Sequence, residues 1–222
     1  MSLIFWNLLL AHFLGDYLLQ PDWMAREKYR LPVLLLHVSI HLVVLLIIAG
    51  FNSLVIWPQL LSLAVLHFWI DFGKNLTNKH QPRWIIVPYG IDQLLHYLSI
   101  WLIAAWIWNT YGQMGWPLNL SAVVYLTGYL VVTYVWYISE RVLAYAQPEY
   151  RSEVVRLFWP RMLTRAAFFS LILIGWQVGS APTLIGLAAF PLPYLTGEYR
   201  ARTLLTDLSV ALLVAVVVLL VT

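Results

Sequence analysis

Residues 32–50 read PVLLLHVSIHLVVLLIIAG, an apolar run in which His37 and His41 are the only titratable side chains. A helix needs about 20 predominantly apolar residues to cross the hydrocarbon core of a bilayer. The two histidines are four positions apart, so on a helix they lie on one face, about one turn from each other. The run therefore predicts a transmembrane helix that carries a stripe of imidazoles.

The whole chain has the composition of this run, because 62% of its 222 residues are hydrophobic and only 10% are charged. A soluble domain carries about 25% charged residues, so lipid must cover most of this surface. We predict an all-α polytopic membrane protein with seven or eight transmembrane helices, the number depending on whether the short segment 183–196 crosses. The predicted helices are 3–20, 32–50, 53–74, 84–109, 118–145, 163–179, 183–196 and 203–222.

The thirteen lysines and arginines fall on alternate connections, and the connections near 50–57, 109–118 and 177–183 contain none. The positive-inside rule then predicts a multi-pass protein of the inner (plasma) membrane with the N-terminus outside. Because the basic residues are scattered among loops, we expect membrane lipid as a partner and no nucleic acid. The chain has no cysteine, which excludes disulfides and thiolate metal sites.

We assign structural roles, and no functional site, to the charged residues of the C-terminal part. Residues 146–162 are predicted to form a loop and a cytoplasmic amphipathic segment at the membrane surface. Arg161 and Arg165 are counted among the cytoplasmic positive charges, and Asp207 is interpreted as a first-turn stabiliser of the last helix. We therefore divide the chain into a His/Asp core at 1–110 and C-terminal transmembrane helices at 111–222.

The pattern of residues 32–50 recurs in the first four predicted spans, each of which carries two titratable residues four positions apart. Adding 55 to positions 12, 16, 37 and 41 gives 67, 71, 92 and 96, and only one residue changes type between the two sets. This offset predicts a tandem-duplicated helical hairpin with a pseudo-twofold axis along the membrane normal. The pairs are His12 with Asp16, His37 with His41, His67 with Asp71, and Asp92 with His96.

These eight residues are too costly to face lipid, since one ionisable residue near the bilayer centre costs about 2.5–3.5 kcal/mol on insertion scales. The loop order predicts two layers on the cytoplasmic side, about 6 Å apart, with four histidines in the deeper layer. Imidazole and carboxylate together are the ligands of Zn, Fe and Mn. We predict a divalent metal site with two ions, zinc first and iron or manganese as alternatives. Its ligands are His12, Asp16, His37, His41, His67, Asp71, Asp92 and His96.

The polar stripe is also compatible with a metal-free proton relay or with ligation of haem or a pigment. The aspartates argue against a haem pocket, which needs apolar space between two histidines. If metal is bound, an aspartate that is not a ligand would act as the base, so Asp16, Asp71 and Asp92 are the catalytic candidates. Lys74 and Gln93 are the candidates for substrate binding at the same level.

Four stretches also carry a family resemblance: AHFLGDYLLQPDWMAREK, LLLHVSIH, HFWIDFGK and IDQLLH, in this order within residues 5–110. Their combination resembles an uncharacterised bacterial integral membrane family, domain of unknown function 3307, from which no activity carries over. The His-x-x-x-Asp pairs are more loosely similar to membrane-bound metal-dependent hydrolases and to the ligand spacing of zinc phospholipase C and P1-type nucleases. That second resemblance implies hydrolytic chemistry.

From the residues and the resemblance together we expect a metal-dependent hydrolase that acts on a phosphate- or ester-containing substrate at the cytoplasmic membrane face. A di-iron oxidoreductase acting on lipid is the first alternative. A metal-ion or proton transporter is the second, although the outer halves of the first four spans lack a matching titratable layer. A structural subunit would leave the cost of burying eight polar residues without a function.

Overall fold

The computed structural model describes residues 1–80, 86–179 and 201–222, and every secondary-structure element in these ranges is helical. The predicted all-α class is confirmed for these residues, and the predicted segment 183–196 lies outside them. The helices are α1 (Ser2–Phe13), α2 (Asp22–Glu27), α3 (Leu31–Ala49), α4 (Ser53–His80), α5 (Ile86–Tyr111), α6 (Leu120–Leu130), α7 (Trp136–Leu143), α8 (Pro148–Arg156), α9 (Phe158–Val178) and α10 (Ala201–Val221).

Four of the described helical stretches are long and apolar enough to cross a membrane. The number rises to five if α8 and α9, which are bent by 71° relative to each other, form one broken span. Ser2–Leu18 is a shorter apolar helix. The four stretches are Leu31–Thr77, Ile86–Tyr111, Leu120–Ala146 and Ala201–Val221, and together they have the character of a membrane protein.

The chain divides into two compact units, Met1–Val123 and Val124–Thr222. In the first unit four helices form a closed ring, because α1 and α4 each pack against both α3 and α5. Every helix of the ring thus has two neighbours and turns one face toward a shared interior. The short helix α2 packs against α3 beside this ring.

Gly50 makes the turn that brings α4 back against α3. Its φ of 57° and ψ of −134° lie in a region that only glycine enters readily. A Cβ atom at this position would also lie 2.8 Å from Cγ of Pro117. The 47-residue apolar stretch Leu31–Thr77 is therefore two packed helices joined at a glycine turn.

The second unit is held by a buried cluster of charges that joins four of its helices. On α9, Arg161 donates from Nε to Oδ2 of Asp207 at 3.0 Å and from Nη2 to Oδ1 at 2.7 Å. Its Nη2 also donates to Oε1 of Glu140 on α7 at 2.9 Å, and Arg165 donates from Nη1 to Oδ1 of Asp207 at 2.9 Å. The hydroxyl of Tyr150 on α8 donates to Glu140.

This cluster corrects three expectations. The helix predicted at 163–179 begins at Phe158, so Arg161 and Arg165 lie within a helix and are buried. They do not serve as exposed loop charges. Asp207 is fully buried and lies in the second turn of α10. It accepts hydrogen bonds from these two guanidinium groups and does not stabilise the first turn of that helix. Two positive and two negative groups, bonded to one another, explain how the helices tolerate buried charge.

Candidate metal centre

The four helices of the ring bring five histidines into one cluster in its interior. The imidazoles of His41 and His67 have ring centroids 3.8 Å apart, and those of His67 and His96 are 4.3 Å apart. The His12 ring stacks on the His96 ring at 4.9 Å, and the His37 ring lies 4.7 Å from that of His41. All five residues are buried, none being more than 4% exposed. Side chains from α1, α3, α4 and α5 thus meet in one place.

Asp16 lies among these histidines and directs its two oxygens at different rings. Its Oδ1 lies 3.1 Å from Nε2 of His37, 3.1 Å from Nε2 of His41 and 3.7 Å from Nε2 of His67. Its Oδ2 lies 3.6 Å from Nε2 of His12. The two oxygens of Asp16 therefore approach different histidines, Oδ1 three of them and Oδ2 His12.

A wide turn in the first helix positions Asp16. After Phe13 the helix continues as a π turn over Leu14–Leu18, in which the N–H of Leu19 donates to the carbonyl of Leu14 at 2.8 Å. Single π turns of this kind are frequent at functional sites. Next to Asp16, Gly15 leaves room for the His41 ring, since a Cβ there would lie under 3.0 Å from three ring atoms.

Several polar atoms in this interior have no hydrogen-bond partner among the described residues. They are Nε2 of His12, Nδ1 of His37, Oδ1 of Asp92, and both ring nitrogens of His96. A buried polar group without a partner costs about 1–3 kcal/mol. A neutral imidazole has one nitrogen with a lone pair, and the unpartnered lone pairs of His12 and His96 are available to a metal ion.

The distances fit such an ion. Oδ1 of Asp16 and Nε2 of His67 both approach Nε2 of His37, each at 3.1 Å. Ligands at 2.0–2.1 Å from a tetrahedral ion are about 3.3 Å from each other. Three groups of side chains have ligand atoms that all lie within 4.8 Å of one another. They are Asp16 with His37, His41 and His67; His12 with Asp16 and His96; and His67 with Asp71 and His96.

The other two aspartates have lysine partners. Nζ of Lys28 donates to Oδ1 and Oδ2 of Asp71 at 3.1 and 2.9 Å. Nζ of Lys74 donates to Oδ2 of Asp92 at 2.6 Å and lies 3.7 Å from Oδ1 of Asp71. Within the described ranges Asp16 has only histidines as its charged partners. The carboxylates are therefore not equivalent.

Gln93 joins Asp92 to a tyrosine that the sequence pattern did not indicate. Its Nε2 donates to Oδ2 of Asp92 at 3.1 Å, and its Oε1 accepts from the hydroxyl of Tyr17 at 2.9 Å. The Tyr17 hydroxyl also lies 3.0 Å from that of Tyr89. This hydrogen-bonded chain fixes one oxygen of the Asp92 carboxylate.

On the apolar side of the histidines there is a cavity of about 10 Å³, room for about one water-sized sphere. Its lining consists of His12, His41, His67 and His96 together with Leu8, Leu45, Leu63, Ala64, Ser99 and Ile100. The histidine cluster thus borders a largely apolar wall. Asn7 and Gln59 are also buried in this unit, and neither is titratable.

All eight predicted ligands and both predicted substrate residues lie in this one region. Lys74 and Gln93 contact Asp92 directly, so each is near the cluster without belonging to the histidine set. The sequence pattern did not indicate Tyr17, and Lys28 was not among the predicted site residues. By sequence Lys28 is one of several loop charges, and only its burial, at 7% exposure, distinguishes it from its neighbours.

Comparison with known proteins identifies the first unit. A family model, described as protein of unknown function (DUF3307), matches residues 4–126, which is more than half of the 222 residues. The chain belongs to the DUF3307 family. The resemblance to DUF3307 inferred from the four stretches is confirmed, and the match covers the four helices of the ring except the first two residues of α1. No curated protein and no solved structure matches the chain.

Proposed function

We propose that this DUF3307 protein is an integral membrane metalloprotein with a dinuclear centre bridged by Asp16. A carboxylate bridges two metal ions through its two oxygens, whereas one imidazole nitrogen binds a single ion. The first two of the three candidate ligand groups have Asp16 as their only common residue. The third group shares a histidine with each of the other two. The divergent contacts of its Oδ1 and Oδ2 are the observation that carries the proposal.

This partition uses all five clustered histidines. One ion takes Asp16, His37, His41 and His67, and the other takes His12, Asp16 and His96. The second set would give an ion three protein ligands, the number that catalytic zinc sites use with water or substrate in the fourth position. Asp92, paired with Lys74, belongs to neither ligand set. Asp71 is paired with Lys28, and its Oδ2 also lies 3.2 Å from Nε2 of His37, so it borders the first set.

The chemistry that fits best is hydrolysis of a phosphate- or ester-containing substrate. Two divalent ions supply activated water and Lewis-acid stabilisation of a phosphoryl or acyl oxygen. Asp92 keeps one buried oxygen, Oδ1, without a hydrogen-bond partner in the described chain, and Lys74 and Gln93 hold its other oxygen. We assign Asp92 as the first candidate for the base, with zinc as the preferred metal and iron or manganese as alternatives.

Elemental mass spectrometry of the detergent-purified chain tests the centre. We expect about two divalent ions per chain, since the partition provides two ligand sets. Asp16→Asn should lose both, because an amide cannot bridge with two anionic oxygens. His80→Ala, which removes the one histidine outside the four pairs, is the matched control and should keep them. Wild-type protein without stoichiometric metal would overturn the proposal.

Hydrolysis is tested on the same samples. Metal-loaded protein in liposomes should release phosphate or fatty acid from phospholipid, and Asp92→Asn should lower the rate by about 10²–10⁴-fold, the usual contribution of a general base. Metal content in Asp92→Asn should stay at the wild-type level. Loaded wild-type protein that hydrolyses neither phosphate nor carboxylic esters would exclude a hydrolase and leave the metal centre standing.

A di-iron oxidoreductase is the second candidate, because a carboxylate bridge between histidine-bound ions also suits iron. Iron as the dominant native metal and an optical spectrum that changes on reduction would favour it over a hydrolase. A transporter is disfavoured by the cavity of about 10 Å³ and the mainly apolar wall on one side of the histidines. Uptake of metal into proteoliposomes would reverse that assessment.

For the membrane topology we propose seven or eight crossings with the N-terminus outside and the site near the cytoplasmic face of the inner membrane. The packing of α3 against α4 around Gly50 supports two crossings within residues 31–77. Cysteine accessibility on a cysteine-free chain would test it, because Ser2 and Arg26 should report opposite sides. Labelling of both from one side would contradict the orientation.

We also propose that residues 12–41 and 67–96 arose by duplication. The closed ring supports this, because exchanging α1 with α4 and α3 with α5 leaves its pattern of contacts unchanged. The replacement of His37 by Asp92 at the equivalent position breaks the symmetry, as does the pairing of Asp71, but not Asp16, with a lysine. Asp16 and Asp71 would thus have started as equivalent residues. Asp16 would have become the bridging carboxylate because no lysine is paired with it.

A further inference from the structure

A groove of about 530 Å³ runs between α4 and α5 on the surface of the first unit. Most of its lining is apolar and open to the surroundings, Trp69 being 60% exposed and Ile91 53% exposed. From Leu66 to Thr77 the groove follows α4 for about 17 Å, given the helix rise of 1.5 Å per residue. The lining residues are Leu66, Trp69, Ile70, Gly73, Lys74, Thr77, Val87, Pro88, Ile91, Asp92 and Leu95.

The two ends of the groove differ in polarity. Leu66 and Leu95 line one end, whereas Lys74, Asp92 and Thr77 lie toward the other. Leu66 is two helical turns, or about 12 Å, from Lys74 along α4. A ligand that fills this groove needs an apolar tail and a polar head, which is the chemistry of a membrane lipid.

Lys74 connects the groove to the candidate metal centre. It lines the groove, its side chain is 17% exposed, and its ammonium group contacts Asp92 at 2.6 Å and approaches Asp71 at 3.7 Å. A headgroup beside Lys74 would therefore be adjacent to the carboxylates at the edge of the centre. The groove therefore leads along α4 and α5 to that edge.

The charge of the site selects the headgroup. The site contains three carboxylates, Asp16, Asp71 and Asp92, and two ammonium groups, Lys28 and Lys74. If the imidazoles are neutral, one negative charge remains. Two divalent ions would convert this into three positive charges. Such a buried positive site attracts an anion and disfavours a zwitterionic or uncharged head.

We propose that the groove binds an acyl chain of a membrane lipid that bears a phosphate headgroup, with the phosphate beside Lys74. The inference rests on the proposed metal centre, which supplies the positive charge, and it names the substrate of that centre as a phosphate-bearing lipid. The acyl chain lies along Ile70 and Leu66, and the lipid enters sideways from the bilayer between α4 and α5.

A glycine in the groove allows it to be filled without disturbing the fold. A Cβ at Gly73 would have no neighbour within 4 Å, so Gly73→Leu projects into open space. Gly90 on α5 is equally open and does not line the groove, which makes Gly90→Leu the matched control. Both substitutions replace a helical glycine, so neither is expected to weaken its helix.

The experiment uses phosphatidate with a diazirine in one acyl chain, reconstituted with the full chain in phosphatidylcholine vesicles and photolysed. We expect wild type and Gly90→Leu to be labelled at Trp69 or Ile91, and Gly73→Leu to be labelled about tenfold less, since even one methylene changes pocket binding by this much. Diacylglycerol with the same diazirine chain should label the wild-type groove weakly, because it lacks the phosphate.

Equal labelling of wild type and Gly73→Leu would overturn the groove as the binding site. Equal labelling by the phosphatidate and diacylglycerol probes would overturn the phosphate specificity. Metal content is measured on each vesicle sample, so failure of the metal centre is recognised separately. Metal-free wild-type protein that still shows the labelling difference at Gly73 would refute the proposed function while preserving the lipid groove.

Discussion

Lys28 contacts both carboxylate oxygens of Asp71, at 3.1 Å to Oδ1 and 2.9 Å to Oδ2, although the residues are 43 positions apart. Lys28 follows α2, and Asp71 lies on α4. Both residues are buried, Asp71 completely. The pair therefore connects the segment after α2 to the ring beside the histidine cluster.

We predict that Lys28→Met destabilises the chain by about 3–5 kcal/mol, because it removes the ammonium that bonds both oxygens of a buried carboxylate and leaves only Lys74, at 3.7 Å. The measurement is the unfolding temperature in detergent, compared with Arg26→Met, which removes an exposed cation from the same region. Adding Asp71→Asn to Lys28→Met should recover much of the loss, since the buried charge is then gone. A double variant as unstable as the sum of both single changes would refute this explanation.

Gly15→Ala should lower the affinity for metal by at least about tenfold, the scale seen when residues that orient metal ligands are changed. The physical reason is steric, because the new methyl group would displace the His41 ring from Oδ1 of Asp16. Competition with a chromophoric chelator measures the affinity. Gly90→Ala, at a helical position with open space around it, should bind metal as wild type does.

Removal of metal should lower the unfolding temperature. A ligand present at 100 times its dissociation constant stabilises the folded state by about 2.7 kcal/mol, and the unpartnered nitrogens of His12 and His96 become uncompensated when it leaves. We expect dialysis against a chelator to reduce the unfolding temperature and added zinc to restore it. Neither treatment should change the unfolding temperature of Asp16→Asn. A wild-type protein whose unfolding temperature does not respond to the chelator would contradict the metal centre.

Asp207→Asn should destabilise the second unit. It removes the carboxylate that both Arg161 and Arg165 contact, and in the described cluster only Arg161 also contacts Glu140. Breaking a buried pair costs about 3–5 kcal/mol. For a chain of this size that loss lowers the unfolding temperature by about 10 °C. Glu149→Gln, which changes an exposed acid on α8, is the control. An unfolding temperature equal to that of the control would show that the cluster does not stabilise this unit.

The histidines are the most predictable part of the site. Spacing by four positions depends only on helical geometry, so the pattern indicates that each pair shares a face of its helix. The cost of polar groups in lipid then requires those faces to meet. Convergence of His12, His37, His41, His67 and His96 therefore follows from the sequence.

The roles of the three aspartates are not predictable in the same way. Asp16 and Asp71 occupy equivalent positions in the repeated pattern, yet a lysine from the segment after α2 contacts only the second. Positive residues near the ends of spans are usually topology signals, and spacing within one helix contains no information about a cation on another. For the same reason the sequence pattern places Arg161 and Arg165 among loop charges.

The amino-acid sequence by itself determined that the chain is helical and apolar, and that its first half presents histidines and aspartates on matched helical faces, because composition and periodicity are local properties. The tertiary structure alone decided which of those groups pair with lysines and which carboxylate directs its two oxygens toward separate sets of histidines. Those relationships depend on which helices are neighbours and on the π turn at Leu14–Leu18, and contacts between distant residues set both.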